Sequence, residues 1–218
     1  MASQVQTANS ADGSVASLAF GSNVAAGNLL IVWIRVSTGD GTPTGITDTV
    51  GTTYSQIGSA LSISTGIGYL YAGVAAASGA NTVSIGGGAI ARTLIQEVTG
   101  LTSATLDQTN QATGTSSAAD SGNITTTAAT WIFAGLLMTN YPSVGPTAGS
   151  GFTGINLADG NKYGGEYQDA AATGTYAGAF TLPESNTWGA IVAAFKGSGG
   201  SSPVPSALLA TVTRRIGA

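Results

Sequence analysis

Leu29-Leu30-Ile31-Val32-Trp33-Ile34 has apolar side chains on both of its alternating faces. So does Trp131-Ile132-Phe133-Ala134-Gly135-Leu136-Leu137-Met138. In a strand, successive side chains point to opposite sides, so a run that is apolar at every position has to be covered on both. Each run is short, rich in β-branched and aromatic residues and flanked by Gly, Asn or Thr, which argues for buried strands over buried helices. A third run, Trp188-Gly189-Ala190-Ile191-Val192-Ala193-Ala194-Phe195, sets Ile191, Ala193 and Phe195 on one face and smaller side chains on the other. All three fall short of the ~20 residues a membrane-spanning helix needs.

Outward from these runs the chain keeps one grammar: brief apolar or β-branched stretches punctuated by Gly, Asn, Asp, Ser and Pro. Strands are expected at residues 15–20, 29–36, 54–57, 67–72, 82–85, 89–98, 131–139, 163–167, 175–181 and 188–196. Weaker ones are expected at 45–48, 106–108 and 122–126. Gly86-Gly87-Gly88 lacks the Lys-Ser/Thr of a phosphate loop and reads as a turn or bulge between two strands. The expected fold is all-β: a two-sheet antiparallel sandwich, jelly-roll-like, over residues 1–196. Residues 197–205, Gly-Ser-Gly-Gly-Ser-Ser-Pro-Val-Pro, form a linker. Residues 206–218 form a short tail, on which Leu208, Leu209, Val212 and Ile216 can line one helical face as a docking segment.

The 218 residues include six Lys or Arg and ten Asp or Glu, a net charge of −4, and charged residues make up only 7%. Ordinary soluble domains carry roughly 25%. Ser, Thr, Ala and 33 Gly fill the gap. No basic stripe exists to displace counterions from a phosphate backbone, so nucleic acid is not an expected partner. Arg214-Arg215 is too small a cluster for a polybasic membrane anchor. With no Cys and no His, thiolate chemistry, histidine triads and the common zinc sites are excluded. The opening Met-Ala-Ser-Gln-Val-Gln-Thr has neither a basic nor an apolar signal region, so export by a cleaved secretory signal is not expected of the sequence as written.

Chemistry must therefore come from carboxylates or aromatics. Within Asp159-Gly-Asn-Lys-Tyr163-Gly-Gly-Glu166-Tyr167-Gln-Asp169, the pair Glu166 and Asp169 could serve a glycosidase, which needs two carboxylates across a scissile bond. The plainer reading is a Gly-rich hairpin whose polar residues face water, and no catalytic residue, cofactor or metal is assigned. Asp12-Gly13, Asp40-Gly41, Asp48 and Asp159-Gly160-Asn161 offer oxygen ligands, yet no stretch has EF-hand spacing, and Asp-Gly is first a turn former. Trp33, Trp131 and Trp188 lie within or at the start of apolar runs and are expected in the core.

Five phrases carry a resemblance: Ala26-Gly-Asn-Leu-Leu-Ile-Val32, Asp48-Thr-Val-Gly-Thr-Thr-Tyr54, Gly79-Ala-Asn-Thr-Val83, Glu97-Val-Thr-Gly-Leu101 and Trp188-Gly-Ala-Ile-Val-Ala-Ala-Phe-Lys196. Together, over about residues 15–196, they resemble a loosely defined group of β-sandwich proteins found among bacteriophage virion proteins and bacterial surface proteins. The resemblance implies a non-enzymatic structural protein of the virion, such as a capsid decoration, minor capsid or fibre-associated protein. Its partners would be copies of itself and a capsid or fibre scaffold. The low charge agrees, since charges normally blunt sheet edges and keep monomers apart. The alternative is a lectin-like module, extracellular or at the cell surface, that contacts surface glycans through Tyr163, Tyr167, Asp159 and Glu166.

Overall fold

The computed structural model describes residues 2–11, 13–101 and 105–196. They form an all-β molecule of fifteen strands with no helix among the described residues. In chain order these are β1 (Ser3–Asn9), β2 (Ser17–Ala19), β3 (Leu29–Ser37), β4 (Ile46–Asp48), β5 (Ser55–Ile63), β6 (Gly66–Val74), β7 (Thr82–Ile85), β8 (Arg92–Thr99), β9 (Thr105–Asp120), β10 (Ile124–Thr125), β11 (Thr130–Met138), β12 (Thr153–Ile155), β13 (Tyr163–Ala170), β14 (Thr175–Tyr176) and β15 (Ala179–Lys196). Two five-stranded sheets dominate, ordered β1-β8-β3-β6-β5 and β12-β13-β11-β15-β9. Every ladder in them is antiparallel.

Strand parity divides the apolar side chains into three layers. Leu29, Ile31 and Trp33 of β3 meet Trp131, Phe133 and Leu137 of β11 and Ile191, Ala193 and Phe195 of β15 between the sheets. The other face of β3, Leu30, Val32, Ile34 and Val36, packs under the small β2-β7-β4 sheet through Ile46, Val83 and Ile85. The other face of β11 and β15, including Ile132, Leu136, Trp188 and Val192, is covered by Ile124, Phe180 and Leu182 around the β10-β14 pair. The runs apolar at every position are thus covered on both sides, as expected, and all three Trp residues are buried. Trp33 fills a slot between the sheets because Gly68 and Gly135 lack side chains there: a Cβ on Gly135 would sit 2.7 Å from the indole, and one on Gly68 would overlap it. Its Nε1 donates to the Leu136 carbonyl of the opposite sheet at 3.3 Å.

Three features differ from the sequence expectation. First, all strands of one sheet come from residues 3–99 and all strands of the other from residues 105–196, whereas a jelly roll weaves back and forth between its sheets. The sandwich stands; the jelly-roll connection does not describe it. Second, β1 and β12 were not expected, and β9 spans sixteen residues where only 106–108 was foreseen. These are edge strands of Ser, Thr, Gln, Asn and Gly, held through backbone ladders and carrying no apolar run. Third, β15 begins at Ala179 and passes through Pro183 at an irregularity between Thr181 and Asn186, the sheet position where Pro is tolerated. The linker and the docking segment Leu208, Leu209, Val212 and Ile216 lie outside the described residues.

Candidate functional site

Residues 166 and 169 are an odd number apart on β13, so they face opposite ways. Glu166 pairs in register with Ala134 and enters the outer layer; Asp169 pairs with Trp131 and faces between the sheets. The two carboxylates cannot flank one bond from opposite sides of a sheet. Glu166 is moreover not on a solvated hairpin. It is fully buried and accepts the backbone N–H of Gly149 at 2.6 Å and of Ala179 at 3.0 Å, pinning two loop segments. Burial pushes its pKa up to about 7, against the opposing pull of those two N–H donors.

The expected glycan contacts scatter likewise. Tyr163 is buried, and its hydroxyl donates to the Thr93 carbonyl across the sandwich at 3.0 Å. Asp159 is exposed and accepts the Gly145 N–H at 2.6 Å, holding a loop. Tyr167 alone of the four reaches an open cleft, where Asp169 joins it.

This cleft, of about 460 Å³, opens along one side of the sandwich between β1 and the β12-β13 pair. Ser3 and Gln4 form one wall; Gly151, Thr153, Gln168 and Asp169 form the other; Trp131 and Tyr167 lie between. Tyr167 stacks on Trp131 with centroids 4.9 Å apart and planes 17° from parallel. A chain of amides fixes the polar side. Trp131 Nε1 donates to Oε1 of the buried Gln96 at 3.2 Å, and Gln96 Nε2 donates to Gln4 Oε1 at 3.1 Å. Gln4 Oε1 is thus committed, and its Nε2 is oriented as the donor at the rim. Gln4 was invisible in the sequence because β1, Ser-Gln-Val-Gln-Thr-Ala-Asn, is a mostly polar edge strand with no apolar run.

Two further carboxylates, Glu97 and Asp48, are each held by three donors within the fold. Glu97, fully buried, accepts Ala25 N–H at 2.8 Å, Asn28 Nδ2 at 2.6 Å and Gln6 Nε2 at 2.7 Å. Asp48 accepts Thr52 N–H, the Tyr54 hydroxyl and Asn81 Nδ2, each at 2.9 Å. Burial raises the pKa of Asp48, but the donors from Thr52, Asn81 and Tyr54 together hold it below the usual 3.8. Four of the five phrases that carry the resemblance therefore meet in pairs: Ala26–Val32 with Glu97–Leu101, and Asp48–Tyr54 with Gly79–Val83. They are loop-fastening devices. Among the described residues no cluster of three or more His, Cys, Asp or Glu could hold a metal ion.

A second surface feature is β9, the outermost strand of its sheet, paired with β15 on one side and with no strand on the other among the described residues. Its charges are confined to Asp107 and Asp120 near its ends. Asp107 is tied to Thr127 and Lys196, leaving residues 108–119 uncharged. No family model matches the chain, and no curated protein or solved structure matches it.

Proposed function

We propose that this protein is a non-enzymatic structural module of a virion, a capsid decoration, minor capsid or fibre-associated component, that assembles in symmetric copies or against a scaffold protein. The observation that supports this is the open edge of β9. Natural sheets blunt long edges with Lys, Pro or inward charges, because a row of unpaired backbone N–H and C=O groups templates another chain. Here the uncharged stretch is twelve residues long, Gln-Thr-Asn-Gln-Ala-Thr-Gly-Thr-Ser-Ser-Ala-Ala, and it is laddered along β15, the strand beside it that is buried on both faces. Such an edge is open to β-augmentation.

Lysine at the exposed positions Thr113 and Ser117 tests the reading, since it introduces the charge that natural edges use. Sedimentation velocity and negative-stain microscopy of the full chain should show oligomers or ordered assemblies for the parent and monomers for Thr113→Lys/Ser117→Lys, with the thermal midpoint of the monomer unchanged. A parent that stays monomeric up to its solubility limit, or a double variant that assembles like the parent, overturns it.

A further inference from the structure

We propose that the cleft between β1 and β13 is a binding site for a neutral saccharide, in addition to any role of the β9 edge. Tyr167 is stacked on Trp131, which fixes the plane of its ring, and the ring borders the cleft. A rigid aromatic plane against which the C–H face of a pyranose can lie is the apolar half of sugar recognition. Around it stand groups that hydrogen-bond hydroxyls: the oriented Nε2 of Gln4, the carboxylate of Asp169 and the hydroxyl of Thr153, which pairs in register with Tyr167.

Donors and acceptors therefore face each other across an aromatic floor, the arrangement that vicinal hydroxyl pairs satisfy from both sides. The volume of about 460 Å³ falls inside the roughly 300–1,000 Å³ of small-molecule sites and admits one or two sugar rings.

The lining also selects. Among the described residues no Lys or Arg borders the cleft and Asp169 is its single charged side chain, which disfavours a carboxylated, sulfated or phosphorylated sugar. An apolar ligand would strand the Gln4 amide and the Asp169 carboxylate without partners. The site is preorganised through the core: the Trp131–Gln96–Gln4 relay runs between the sheets, so the donor at the rim is held by a buried amide. Glu166 faces away on the other side of β13, so it does not join Asp169 in this cleft.

The test is saturation-transfer NMR and calorimetry on the full chain with six neutral probes: methyl α-mannoside, galactose, N-acetylglucosamine, maltose, cellobiose and lactose. N-acetylneuraminic acid serves as the charged control. At least one neutral probe should bind with Kd on the order of 1 mM or tighter, and the control should not. Asp169→Asn, at an exposed position, should weaken binding on the order of tenfold while the thermal midpoint stays put. Gln4→Ala should weaken it by a similar factor. Tyr167→Ala should abolish it, but because that change also unstacks Trp131, the other two substitutions decide the matter. No binding by any neutral probe overturns the proposal. So does binding that keeps its full affinity in both Asp169→Asn and Gln4→Ala, or that favours the charged control.

Discussion

Glu166 shows how one side chain can make the stability of the whole domain depend on pH. Its folded pKa, about 7, lies above its ordinary 4.5, so the folded state holds a proton that the unfolded chain has released. Stability is then full below about pH 4.5, falls as the pH rises through the window up to about 7, and is flat above it. At 1.36 kcal/mol per pH unit the loss is about 3 kcal/mol at most. Urea midpoints measured from pH 5 to pH 8 should decline, and Glu166→Gln, which cannot ionise, should flatten the decline; a slope unchanged in the variant would refute this assignment. Asp48 and Asp107 do not confuse the reading. Hydrogen bonds outweigh burial at Asp48, and the Thr127 and Lys196 contacts outweigh it at Asp107, so both are held below 3.8 and their support is lost only as the pH falls through that lower range. Trp33 gives a second residue-scale prediction. Trp33→Ala empties the slot between Gly68 and Gly135 and should cost about 3–5 kcal/mol; Gly135→Ala, which drives a methyl to within 2.7 Å of the same indole, should cost about 1–3 kcal/mol by overpacking. Denaturant titration of both variants checks the pair.

At the scale of elements, hydrogen exchange should rank the strands by their cover. Amides of β3 and β11, with apolar layers on both faces, should exchange only through global unfolding, while those of β1 and β12 at the sheet edges open earlier; equal protection throughout would contradict the layering. The same contrast explains what the amino-acid sequence revealed. Leu29–Ile34 and Trp131–Met138 were legible because burial on two faces favours apolar residues on both alternating faces of a strand. Ser3–Asn9 and most of Thr105–Asp120 were not, because an edge strand is held by its backbone and its side chains are left to solvent. The cleft suffered for that reason: Tyr167 and Asp169 stood out as an aromatic and an acid, but Gln4 and Ser3 sit on the strand that left no apolar trace. The grouping of Glu166 with Asp169 failed on parity alone, which the expected strand at 163–167 already contained in part. Extended by two residues, it would have separated them.

For the molecule as a whole, three apolar layers between and outside two sheets make residues 2–196 a self-sufficient core, so a chain ending at Gly197 should keep the parent's thermal midpoint. The four apolar side chains it loses, Leu208, Leu209, Val212 and Ile216, could each contribute about 1.5–3 kcal/mol if buried on a neighbour. Ordering their segment costs roughly 1–2 kcal/mol per residue, so docking needs repeated neighbours and backbone pairing to succeed. The shortened chain should therefore fold normally and assemble poorly in sedimentation and microscopy; assembly equal to the parent's would remove the tail from the mechanism. One consequence concerns mechanics. β1 begins and β15 ends beside Trp131, at the same end of the sandwich but in different sheets. Tension applied between Ser3 and Lys196 pulls across the strands and outward from the edge, so it peels β1 from β8 one hydrogen bond at a time instead of shearing a whole ladder together. A domain tethered through those two points yields as a zipper, at low force and from the strand that walls the cleft.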